Sequence, residues 1–136
     1  MISNEMTIAE LYNCNPIENA EFSLQLWYND VIKKRPSQIT IKDNLIMLRQ
    51  QLFCDTAVSC ALSELSHDPF AGELWDGQLL EQLIKTDITY LEPHKIELQA
   101  LYSVAKKYNK HEWLSNDERK RFVEVVNNYP KLLEKL

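Results

Sequence analysis

The chain has 136 residues, 15 Lys+Arg against 20 Asp+Glu for a formal charge of −5, and 45% hydrophobic residues, a single-domain length with an ordinary globular composition. Only two residues are glycine, far below the average of roughly 7%, which argues against β sandwiches, barrels and Gly-rich phosphate loops, all users of positive-φ positions. No segment approaches the roughly 18 apolar residues of a membrane span, the start Met1-Ile2-Ser3-Asn4-Glu5 lacks the regions of a signal peptide, and Cys14, Cys54 and Cys60 form no CxxC pair, so the expectation is a cytoplasmic all-α domain with no cofactor and no metal site.

Helical signals run the length of the chain. Thr7 is placed to cap a short helix from Ile8 to Asn13, closed by Asn15-Pro16. Asn19 precedes a run in which Phe22, Leu24, Leu26, Trp27, Val31 and Ile32 recur at helical spacing and which ends before Pro36. Thr40 with Asp43 three residues on resembles a capping box, followed by Leu45, Ile46, Leu48 and Leu52. From Asp55 the next helix carries Ala57, Val58, Ala61, Leu62 and Leu65 on one face and stops at His67-Asp68-Pro69. A loop, Pro69 to Trp75, leads to Asp76-Gly77, which opens a helix through Leu79, Leu80, Leu83 and Ile84. Pro93 starts a helix with Ile96, Leu98, Leu101, Tyr102, Val104 and Ala105 that reaches about Asn109. Ser115 and Glu118 form a capping box for a helix from Asn116 to Asn128, and Pro130 separates a short terminal piece from Lys131 to Leu136. The sum is one compact single-domain helical bundle, residues 1–136, of about six or seven helices.

The net charge hides a pattern. Residues 1–30 hold five acids and no base, whereas residues 31–54 hold five bases and one acid. Residues 55–92 then carry eight acids against Lys85 alone, a block of −7, and residues 93–136 hold nine bases against six acids. The pattern has two readings: acidic and basic helices neutralise each other by packing, or the 55–92 block steers a cationic partner. An acidic chain whose basic triplets, Lys33-Lys34-Arg35 and Arg119-Lys120-Arg121, lack interleaved aromatics is not expected to bind nucleic acid directly.

A catalytic constellation is missing. His67, His94 and His111 fall in three different segments, and adjacent side chains such as His67 and Asp68 do not face each other on a helix. Cys54 and Cys60 are six apart, which suits core filling better than a shared reactive face. Glu73 and Asp76 read as a surface loop and a helix cap rather than an acid/base pair. Trp27, Tyr28 and Trp113 are expected in the core. Phe70 reads as a plug for the helical corner, and Trp75 as a plug or a binding anchor.

The pieces Arg35-Pro36, Ile39-Thr40-x-x-Asp43, Arg49-Gln50-Gln51 and the corner Pro69-Phe70-Ala71-Gly72-Glu73-Leu74-Trp75-Asp76-Gly77-Gln78-Leu79-Leu80 together resemble the helical immunity proteins of bacterial contact-dependent growth inhibition (CDI) systems, over roughly residues 20 to 110. None of these pieces is catalytic. Where the family pattern has a Gly after Arg-Gln-Gln and a Pro-Gly-Asp helix cap, this chain has Leu52-Phe53 and Asp76-Gly77-Gln78, which points to a toxin partner of its own. The resemblance implies a non-enzymatic antitoxin that binds the C-terminal toxin domain of a cognate CDI protein, commonly a nuclease with a basic substrate groove. Asp68, Glu73, Asp76 and Glu81, with Trp75 as an anchor, are the toxin-binding candidates. The alternative is a helical scaffold or regulatory subunit of a larger complex.

Overall fold

In the computed structural model, which describes residues 5–136, the first cap forms as its spacing requires. The Thr7 hydroxyl accepts the Glu10 N–H, and the Glu10 carboxylate accepts the Thr7 N–H, starting α1 (Ile8–Tyr12). Two free amides of that first turn reach across space, Ile8 N–H to the Lys34 carbonyl at 2.9 Å and Ala9 N–H to the Ile32 carbonyl at 2.8 Å. They pin α1 to the turn that follows α2 (Ser23–Val31).

The second helix starts later and stops earlier than its apolar spacing predicts. Asn19 lies outside it at φ 54, and the N-terminal amides of Glu21 and Phe22 instead donate to Gln25 Oε1 at 3.0 and 3.2 Å. Phe22, Leu24 and Leu26 are exposed, while Val31 and Ile32 carry the burial. Periodicity marks a face that is able to bury, and here nothing among the described residues covers its first turns.

The next cap does more than start a helix. Thr40 and Asp43 exchange bonds at 3.1 Å in each direction to open α3 (Ile41–Gln50), and the Asp43 carboxylate also accepts Trp27 Nε1 at 3.0 Å and Lys34 Nζ at 2.6 Å. Burial alone would raise the Asp43 carboxyl, but Lys34, Thr40 and Trp27 together outweigh it and hold the group below its ordinary 3.8. One carboxylate therefore joins α2, the Lys34-Arg35 turn and α3.

At the centre lies α4 (Cys54–His67), whose Ala57, Val58, Ala61, Leu62 and Leu65 are all buried. It packs against α3, α5 (Gln78–Leu83), α6 (Ile88–Leu91) and α7 (Lys95–Ala105). Asn44 Nδ2 donates to the Ala57 carbonyl at 2.9 Å, fastening α3 to α4, and the Tyr12 hydroxyl accepts Thr56 N–H at 3.2 Å, capping α4 from α1. That borrowed cap stands where the preceding Phe53, at φ 53, has no capping side chain.

α6 runs through a 3-10 turn, Glu92–His94, directly into α7, so the eight α segments form seven separate rods and no strand occurs among the described residues. Pro93 sits in that turn rather than in α7, and α7 ends at Ala105, short of Asn109. The last helix, α8 (Asn116–Lys135), packs on α7 and α5. Pro130 lies inside it instead of dividing it. A proline forfeits one ladder bond, and here buried Val125, Val126 and Tyr129 keep the helix on course, with the Tyr129 hydroxyl donating to the Leu98 carbonyl at 2.6 Å.

Asp43→Asn removes the charged acceptor and is expected to cost about 1.5–3 kcal/mol at neutral pH. Because the folded state holds this proton less tightly than the unfolded chain, the contribution is full above the ordinary value of 3.8 and drains away as pH falls below it. Urea denaturation of both proteins between pH 7 and pH 2 should show the two curves converging in acid.

Candidate functional site

The α4–α5 corner contains the five candidate residues, and the structure assigns them different surroundings. Its backbone is fixed first. Gly77, at φ 89, caps α5, and a Cβ there would collide with the Phe122 ring; a Cβ on Gly72 would collide with the Trp75 carbonyl. Gly77 N–H donates to the Phe70 carbonyl at 2.8 Å, and Leu79 N–H to the Ala71 carbonyl at 3.1 Å. Gln78, buried, accepts both Glu73 N–H and Leu74 N–H at 2.9 Å through its Oε1. Sequence reading passes over Gln78, because a Gln at the start of an apolar run looks like a solvent-facing position.

Asp76, Trp75 and Glu81 are engaged by the C-terminal third of the chain. Asp76 does not cap α5 with its side chain; its Oδ2 lies 2.7 Å from His111 Nε2, and its N–H donates to Glu118 Oε1 at 2.8 Å. Glu118 is thereby diverted from the second half of the expected capping box, so Ser115 Oγ accepts Glu118 N–H without the reciprocal bond. Glu81 is 7% exposed, and both of its oxygens accept Arg121 Nε, at 2.8 and 3.1 Å. The Arg121 guanidinium also lies over the half-buried Trp75 ring, 4.0 Å from its centre. Three candidates are therefore spent, wholly or in part, on holding α8 to the corner.

Behind them, Phe70 is the plug that its position suggested. It stacks on His111 at 3.9 Å and meets Trp113 edge-on at 5.4 Å and Phe122 at 5.1 Å. Trp27, Tyr28 and Trp113 are only partly buried but pack against the core. Asp68 and Glu73 remain exposed, with Leu74 between Glu73 and Trp75 at 75% exposure. The Asp68 carboxylate accepts Phe70 N–H at 3.0 Å, a local turn bond that leaves it facing water.

The other chemistry-bearing side chains sit apart from this corner's face. His67 Nδ1 lies 2.9 Å from the Ser63 carbonyl, on its own helix and away from the Asp68 carboxylate. Cys54 and Cys60 are half-buried rather than core residues. Burial pushes the Cys60 thiol up to about 11, and burial followed by Asp55 and Asp87 raises Cys54, so neither is poised as a thiolate. Among the described residues no group of three or more His, Cys, Asp or Glu is placed to hold a metal ion, and no helix is long and apolar enough to cross a membrane.

Gly77→Ala combines a left-handed backbone with a collision against Phe122 and is expected to cost at least about 2 kcal/mol. Glu81→Ala removes the acceptor of a half-exposed Arg121, which water then solvates, and is expected to cost about 1 kcal/mol. Denaturant midpoints at pH 7 check both, and near-UV circular dichroism should register loosening around Trp75 in each variant.

A family model described as CDI immunity proteins matches residues 10–101, well over half of the chain. No curated protein matches it.

Proposed function

Because the chain belongs to the CDI immunity proteins, we propose that it acts without catalysis of its own, binding and neutralising the C-terminal toxin domain of a cognate CDI protein inside the producing cell. The family match carries this reading. The charge pattern supports a nuclease as the toxin, since a nuclease presents a basic substrate groove and a block of −7 over residues 55–92 suits such a surface.

Within the corner, the proposed toxin contacts are Asp68 and Glu73, both exposed, with Leu74 projecting between Glu73 and Trp75. Trp75, Asp76 and Glu81 serve them from behind, through Arg121, His111 and Glu118. An apolar side chain flanked by carboxylates on a backbone held by Gln78 loses little freedom on binding, which favours affinity. The second reading, a scaffold or regulatory subunit, rests on the same acidic surface and differs in its partner.

The double substitution Asp68→Asn with Glu73→Lys alters charges that the fold does not use as ion pairs and keeps a side-chain oxygen to accept the Phe70 N–H. It is expected to weaken toxin binding by about 3 kcal/mol, some 100-fold in Kd, and to flatten the dependence of the association rate on salt, while leaving thermal stability nearly unchanged. Isothermal titration with the toxin domain encoded immediately upstream, and growth of cells expressing that domain, provide the measurements. Absence of both binding and growth protection by the wild-type chain would favour the scaffold reading.

A further inference from the structure

Along α7 the burial pattern leaves a second apolar face. Leu98, Leu101 and Ala105 turn inward, whereas Ile96, Ala100 and Val104, spaced four apart and so on one side of the helix, face out; Ile96 is 81% and Val104 51% exposed. Between this face and α4 runs a groove of about 440 Å³. Leu62, Leu65 and Leu101 form its floor, and the small side chains of Ser59, Ser63 and Ser66 form the α4 wall. Small side chains on one wall and an apolar stripe on the other leave room for a ridge of side chains to enter, which is how a groove receives an amphipathic helix.

The charges around the groove decide what that helix must carry. The groove and the two shallower ones beside it on α4 are lined by Glu97, Asp55 and Glu64 and, among the described residues, by no Lys or Arg. The groove between α5 and α8 is mixed, with Lys85, Arg121, Lys131 and Lys135 alongside Glu81 and Glu124. A second copy docking by the α4 face would set its carboxylates against their own duplicates. The α4 wall also ends at Ser66, two residues before Asp68, so the groove lies on the helix whose end carries a proposed corner contact.

We infer that the α4–α7 groove receives a helix of the toxin domain that presents an apolar ridge flanked by Lys or Arg. The inference rests on the immunity reading and adds to its corner contacts the Ser59 to Ser66 stretch of α4. The ridge fills the groove over Leu62 and Leu101, and the flanking cations meet Glu64 and Glu97.

Binding of the upstream-encoded toxin domain to the intact chain tests it, using two variants at exposed positions. Ala100→Arg blocks the groove and is expected to raise Kd at least 100-fold, with melting temperature and circular dichroism as in wild type. Glu64→Gln with Glu97→Gln keeps the shape and is expected to raise Kd about tenfold, mostly through a slower association rate that responds less to salt. Hydrogen exchange on wild-type complex should protect residues 59–66 and 97–104, and in the toxin one segment with helically spaced apolar residues and basic flanks. Wild-type binding and protection with Kd unchanged in Ala100→Arg, or with no exchange protection at the groove, overturns the inference and leaves the immunity reading standing. Failure of the wild-type chain to bind at all removes the immunity reading itself. A wild-type dimer in sedimentation that Ala100→Arg converts to a monomer, with toxin affinity unaltered, assigns the groove to a second copy and also overturns the inference.

Discussion

No side chain fits at Gly72 or at Gly77, and on that constraint the α4–α5 corner depends. The pinched backbone lets the Phe70 carbonyl reach Gly77 N–H and lets Gln78 accept two loop amides, so the loop leaves α4 and starts α5 with its polar groups satisfied. Because Gly77 has no Cβ, Phe122 can press directly on the backbone, and α8 then comes close enough for Arg121 and Glu118 to engage Glu81 and Asp76. The two glycines of a glycine-poor chain stand where the fold cannot do without them.

The acidic block divides into two populations. Glu81 meets the Arg121 guanidinium, so neutralisation by packing accounts for it, and Asp76 is held by a 2.7 Å hydrogen-bond contact with His111. Asp68 and Glu73 stay in solvent at the same corner, and Asp55 and Glu64 line the outer side of α4. A charged side chain in the first population contributes to one shape of the corner; in the second, Asp68 still accepts the Phe70 N–H, but among the described residues these charges enter no ion pair and set the field that a partner meets. The partner preference of such a surface is thus separable from its stability.

Much of the fold is legible in the sequence because local chemistry settles it. The Thr7 and Thr40 boxes, the inward face of α4 and the stop at Asp68-Pro69 need only spacing and capping residues. What escapes is set by distant neighbours. Pro130 reads as a break, yet the burial of Val126 and Tyr129 against α7 carries the helix through it. Ile96, Val104 and Leu24 read as core because their spacing is right, but no element of the described chain covers them. At the corner, composition marks the acidic segment, and it takes the arrival of α8 to show that Glu81 is bound by a residue forty positions on. Gln78, His111 and Arg121 give no local signal of their roles, since each acts only through a partner far along the chain.

The clasp between α8 and the corner has a consequence for the order in which the molecule is made. The partners of Asp76 and Glu81 follow them by 35 and 40 residues, and a domain generally folds as a unit. A growing chain holds the family-matched region, residues 10–101, before it holds His111 or Arg121. Until those residues emerge, the corner carries its full complement of uncompensated carboxylates, and the aromatic plug Phe70 lacks His111, Trp113 and Phe122 as cover. The corner is thus complete only when the last helix closes over it, so its final shape waits on the final residues of synthesis.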